Sequence, residues 1–328
     1  MRRAVALIVA SGLLFAVVTG CAPTYPKEKV AESIVRLCKK EYKLDVKVAT
    51  IGKTVAIYAP LADLWDPMFA LTKHAGEELN DIILSISRVS LSTDADYKFY
   101  VVIAHDTRLP EIQIIIVKAV EDVKRFMLSD ISRGEFSKRM LIDKRISPQA
   151  KKEHAIKEVF EKMGLDRKWQ DAVMNDFFRS QPASLGDIGY WNGRFYVKDV
   201  SLPEFLAEQI AARIKMEFFE ERKLADAVLI KSTRGEYVSL AGKSYFQIWV
   251  SAESKTFGQT GTPAMSNIIF KNSLDVIAAV LHGYRFENYE YIEITDEAAA
   301  RSIKVTKEML EDFRKKKLTF DNLLSQTG

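Results

Sequence analysis

The apolar positions of the chain change period several times, and each change marks an element. Val30, Ile34, Leu37 and Cys38 lie on one helical stripe between Lys29 and Tyr42. Two β-rich runs, LDVKVATIG and KTVAIYAPL, then flank a turn at Gly52-Lys53. A helix near Gly76–Val89 carries Leu79, Ile82, Ile83 and Ile86 on one face. KFYVVIAHD and EIQIIIVKA follow, so continuously apolar that both their faces are expected to be covered. A helix from about Val120 to Leu128 ends this block.

The same order returns near the C-terminus. Ser201-Leu-Pro-Glu204 has the form of a capping box, with Leu206, Ile210, Ile214 and Phe218 following at a spacing of four. Strand-like DAVLIKS, YVSLAGK and SYFQIWVSA, helical SLDVIAAVLHGY, strand-like YEYIEIT and SIKV, and helical TKEMLEDFRKKK complete it. Laid over each other, Gly52 meets Gly242, Asp81 meets Asp275, Tyr97 meets Tyr289 and Phe126 meets Phe313, separations of 187 to 194 residues. The pattern predicts an α+β fold: a tandem duplication of an α-β-β-α-β-β-α unit, with copies at 29–130 and 186–328. Between them, residues 131–185 are charged and read as a helical connector.

Ahead of the first copy the pattern is of another kind. Arg2 and Arg3 precede an uncharged apolar run from Ala4 to Val18, the form of an export signal over residues 1–20. The stretch Val18-Thr19-Gly20-Cys21 resembles the lipobox of bacterial lipoproteins. That resemblance implies cleavage before Cys21, a diacylglycerol on its sulfur and acylation of the new amino terminus, with residues 21–28 as a lipidated tether. Several acyl chains hold a protein at a bilayer far more firmly than one. Ala22, where some sorting patterns carry an acidic residue, favours by the same resemblance the outer membrane, facing the periplasm, in a cell with two membranes. The membrane is then one partner, through lipid, and an envelope protein or cell-wall component another.

Composition narrows the chemistry. The 48 basic and 44 acidic residues leave a net charge of +4, and loss of residues 1–20 lowers it to +2, too little to argue for nucleic acid. With Cys21 blocked, Cys38 is left without an internal partner and reads as a buried thiol. Gly52-Lys53-Thr54 has the ending of a phosphate-binding loop, but the required earlier glycine is replaced by Lys47, and VAIYA after it is strand. No nucleotide, other cofactor or metal is expected, since His74, His105, His154 and His282 lie on separate elements without paired spacing.

Two sets of candidate residues remain. His105 and Asp106 end one apolar strand and Asp296 ends its counterpart, so a hydrolase using these three side chains between the copies is one reading. Asp is equally ordinary in a turn after a strand. Trp65, Trp191 and Trp249 lie in or beside loops and hairpins, and Phe257 lies in the glycine-bearing loop KTFGQTGTP, where aromatics anchor partners. The leading expectation is a non-enzymatic, lipid-anchored envelope protein that binds or scaffolds a partner.

Overall fold

The structure is a computed structural model that describes residues 24–66, 70–163, 170, 185–255 and 261–327. Cys21 and Phe257 lie outside the described residues. The fold is α+β. Helix α1 (Val30–Leu37) runs into a π-helical turn at Cys38–Tyr42, which Lys43 closes with a left-handed φ of 64°. Strands β1 (Lys47–Ile51) and β2 (Thr54–Leu61), helix α2 (Lys73–Leu91), and strands β3 (Phe99–Asp106) and β4 (Leu109–Ala119) follow. Helices α3 (Val120–Met127) and α4 (Arg133–Lys138), strand β5 (Leu141–Ile146) and helix α5 (Pro148–Met163) continue the chain. A short hairpin of β6 (Gly189–Trp191) and β7 (Arg194–Tyr196) precedes α6 (Leu202–Glu220) and α7 (Arg222–Ala227). The last elements are β8 (Val228–Leu240), β9 (Lys243–Ser254), α8 (Pro263–Gly283), β10 (Tyr291–Asp296), β11 (Arg301–Thr306), α9 (Lys307–Arg314) and α10 (Phe320–Thr327).

The first sheet has the order β1-β2-β3-β4-β5, and the second β11-β10-β9-β8. In each, an antiparallel hairpin joins a second antiparallel pair through one parallel contact. Thr54 pairs with Phe99 along β2 and β3, and Tyr245 with Tyr291 along β9 and β10. A parallel pair needs a crossover, which α2 supplies in one sheet and α8 in the other. Gly52, at φ +56°, opens the first hairpin turn, whereas Ala241 and Gly242 together form the second, at φ 52° and 80°. The two glycines therefore occupy neighbouring rather than equivalent turn positions. Neither lysine that follows them enters a helix: β2 begins at Thr54, just after Lys53, and β9 at Lys243 itself.

Four layers result. Val55, Ile57, Tyr100, Val102, Ile114 and Ile116 face α1 and α2, and the alternate residues Phe99, Val101, Ile103, Ile115 and Val117 face α6. Helix α6 buries apolar residues around much of its circumference because it lies between the sheets, with Phe205 5.1 Å from Phe99 across its first turns. Its other side meets sheet two so closely that a Cβ on Gly235 would stand 2.1 Å from the Ala207 carbonyl oxygen. Helix α8, long and apolar enough by length and composition to cross a membrane, packs on α6 and contributes Ile269, Phe270, Leu274 and Ile277 to the shared core.

The expectation of a wholly helical connector over residues 131–185 is corrected at β5, which pairs with β4 from Val117–Leu141 to Ile112–Ile146. The long β4 has an edge whose backbone groups need partners, and that demand overrides the charged, non-alternating sequence LIDKRI. DAVLIKS and YVSLAGK likewise form one strand, β8, with a register shift between Ile230 and Ser232.

A buried polar knot ties the layers at one end. Arg139, only 4% exposed, donates to Asp122 (3.0 Å), to Glu135 (2.7 Å) and to the Gly283 carbonyl (3.3 Å). Tyr284 donates its hydroxyl to the other Asp122 oxygen at 2.5 Å. The contacts therefore join α3, α4 and the end of α8. Nearby Lys118 is fully buried and donates to the Phe136 carbonyl at 2.9 Å. Burial, reinforced by the Arg139 charge and opposed by Asp122, pushes its ammonium down to about 7.

Two outcomes follow from this packing. Gly235→Ala forces α6 off β8 and lowers stability by about 1–3 kcal/mol in urea unfolding. Lys118 binds a proton more weakly folded than unfolded, so its contribution makes stability rise as pH climbs from about 7 toward 10. Lys118→Met removes that rise, at most ~1.4 kcal/mol per pH unit, measured below pH 9.5 so that tyrosine ionisation stays out of the comparison.

Candidate binding surface

The proposed carboxylate site does not assemble. Along β3 successive side chains alternate in direction, so His105 and Asp106 leave opposite faces of sheet one. His105 turns to Tyr58, whose hydroxyl lies 3.0 Å from Nε2, and burial pushes its pKa down. Asp106 is fully buried and accepts from the Arg108 backbone N–H (2.9 Å), from Arg108 Nε (3.0 Å) and Nη2 (2.9 Å), and from the Trp65 N–H (3.4 Å). The Arg108 guanidinium holds its carboxyl well below the usual range. Asp296 points toward α8, where it accepts from Ser266 Oγ (2.7 Å) and from the Ala298 and Ala299 N–H groups (3.1 and 3.3 Å). Sheet one thus lies between Asp106 and Asp296, and each carboxylate fastens its own turn.

The tryptophans separate as well. Trp65 is 5% exposed, packed in the core beside α1 and α2, so it offers nothing to a partner. Trp191 is half-buried on β6 with its indole N–H held by Glu153 of α5. Trp249 differs. It stands on β9 among Tyr245, Gln247 and Ser251, the residues alternate to Phe246, Ile248 and Val250, which enter the core.

This face of sheet two carries no further layer among the described residues. The registers arrange its side chains in rows. Arg234, Trp249, Thr295 and Ser302 make one row, with Glu236, Gln247, Glu293 and Lys304 beside it. Val238, Tyr245, Tyr291 and Thr306 make the third. The Arg234 guanidinium sits 4.0 Å from the Trp249 ring, and Lys304 Nζ 3.7 Å from Tyr291. Tyr245 stacks on Tyr291 with centroids 4.5 Å apart, and Gln247 donates to Glu293 at 3.2 Å. Flat, stacked rings with two cations over them make a preorganised patch that loses little side-chain entropy on contact.

Of this patch, only Trp249 and Tyr245 stand out in the sequence, as aromatics close to a hairpin. Arg234, Tyr291 and Lys304 join them through cross-strand register, for which period-two alternation in SYFQIWVSA is the one local signal. Among the described residues no group of three or more His, Cys, Asp or Glu side chains is placed to hold a metal ion. Cys38 is buried, and burial pushes its thiol up. Compared with known proteins, the chain matches no family model, no curated protein and no solved structure.

The role of Asp106 as a turn fastener gives an expected outcome. Asp106→Ala leaves the buried Trp65 N–H and the Arg108 groups without their acceptor and lowers stability by about 1–3 kcal/mol in urea unfolding. Asp106→Asn, which keeps an acceptor but not the charge, costs less.

Proposed function

We propose that this chain is a lipid-anchored envelope protein whose body is a non-enzymatic binding module, and that it meets a protein partner through the outer face of β8–β11. The observation that carries this reading is the open patch of Arg234, Trp249, Tyr245 and Tyr291. Trp, Tyr and Arg are the residue types that dominate binding energy at protein interfaces, and here they flank on both sides a middle row of Glu236, Gln247, Glu293 and Lys304. Charges of both signs on one face match a protein surface better than a polyanion. The lipobox-like Val18-Thr19-Gly20-Cys21 supplies the anchor, with the body on the periplasmic side of an outer membrane.

The common strand order of the two sheets supports descent from one duplicated α-β-β-α-β-β-α unit. In that history the copies diverged in use. The central strands β2–β4 of sheet one became covered on both faces, while sheet two kept an outward face for recognition.

A photoreactive residue at position 247, in the middle of the patch, is expected to give one discrete adduct in intact envelopes. The adduct disappears with Trp249→Ser. The same photoreactive residue at exposed position 36, in the outermost helical layer, gives none. Equal adducts from both positions, or an adduct indifferent to Trp249, would remove the support for this face.

A further inference from the structure

A groove of about 720 Å³ opens between the edge of sheet one and the start of sheet two. Its walls come from α4 and β5 on one side and from the C-terminal half of α6, α7 and the first residues of β8 on the other. Its volume falls in the range of small-molecule sites. The side chains around it are apolar yet left in solvent: Phe219 is 84% exposed, Ile142 57%, and Met216 and Leu229 39% each. Concentration of so much exposed apolar surface in one concave place marks a contact that the described residues do not complete among themselves. Met140 and Met216, unbranched and polarizable, let such walls adapt to a flexible occupant.

The rim states the sign of that occupant. Lys138, Lys215 and Lys255 reach it from three different segments, against the single carboxylate of Glu220. Glu220 offsets only Lys138, at 3.7 Å. Lys255 donates to the Ala225 carbonyl at 2.8 Å, which fixes its ammonium at the groove without neutralising it. Lys215 is exposed and has no acidic partner among the described residues. An apolar trough with a net positive rim is complementary to a hydrocarbon chain ending in a negative charge.

We infer that this groove binds a monomeric fatty carboxylate, its chain along Ile142, Met216, Phe219 and Leu229 and its carboxylate among Lys138, Lys215 and Lys255. The groove takes Val228–Ile230 of β8 and the patch Arg234, Glu236 and Val238 of the same strand, so the two assignments are tested on separate residues.

The test uses the full chain in phosphatidylcholine nanodiscs with a diazirine-bearing hexadecanoate at a concentration below its self-association limit. Photolabelling is expected to saturate at one probe per chain, with adducts mapping to residues 140–142, 216–219 and 228–230. Dodecanoate competes, and dodecylammonium competes at least tenfold less well. Phe219→Asp, at a position already open to water, and Lys215→Glu each weaken labelling at least tenfold while circular dichroism and the melting temperature stay unchanged. Labelling spread over the chain, labelling indifferent to both variants, or equal competition by the ammonium amphiphile would overturn the inference.

Discussion

Arg139 is the point on which the arrangement depends. Its guanidinium, buried and paired with Asp122, also reaches Glu135 of α4 and the Gly283 carbonyl at the end of α8, with the Tyr284 ring 4.5 Å away. Taking a charge out of water is costly, and a buried ion pair returns that cost only when nearly every donor and acceptor is satisfied. Here the donors are satisfied only if α3, α4 and α8 stand together. The knot therefore contributes more to relative placement than to net stability, since an apolar substitute of the same shape would cohere without specifying which helix ends must meet.

That placement has consequences across the fold. With α3 and the end of α8 held together, α6 is confined between the two sheets, and its Phe205, Ile210 and Ile214 serve one continuous core. Strands β2, β3 and most of β4 in sheet one are then sealed on both faces. Sheet two is sealed on one, and among the described residues no element packs over its outward rows, where Arg234 is exposed and Trp249, Tyr245 and Tyr291 are half-buried. The lysine-rimmed groove arises from the same packing, because α4 and β5 lie across from α7 and β8 without closing on them. Both surfaces proposed for binding are thus by-products of how one helix is shared by two sheets.

Much of the fold was legible along the chain where periodicity was strong. The stripe Val30, Ile34, Leu37, Cys38, the apolar runs of β3 and β4, and the alternation in SYFQIWVSA all name their elements. β5 was not legible, because LIDKRI is a largely exposed edge strand whose conformation is set by the unpaired edge of β4. Trp65 looked like a loop aromatic and is a core residue, since its loop folds back onto α1 and α2. His105 and Asp106 are neighbours in sequence, and strand geometry sends them to opposite faces for that very reason. The members of the open patch and of the groove come from three or more elements each, and only tertiary register brings them together.

A partner seated on the outward face of sheet two in the envelope would shield the aromatic side chains there. Hydroxyl-radical footprinting of the chain, in intact envelopes and after purification, tests it most directly. Oxidation of Trp249, Tyr245 and Tyr291 should be several-fold lower in the envelope. Met127, 66% exposed at the end of α3, should be oxidised equally in both. Equal oxidation of Trp249 and its neighbours in the two preparations would contradict the account.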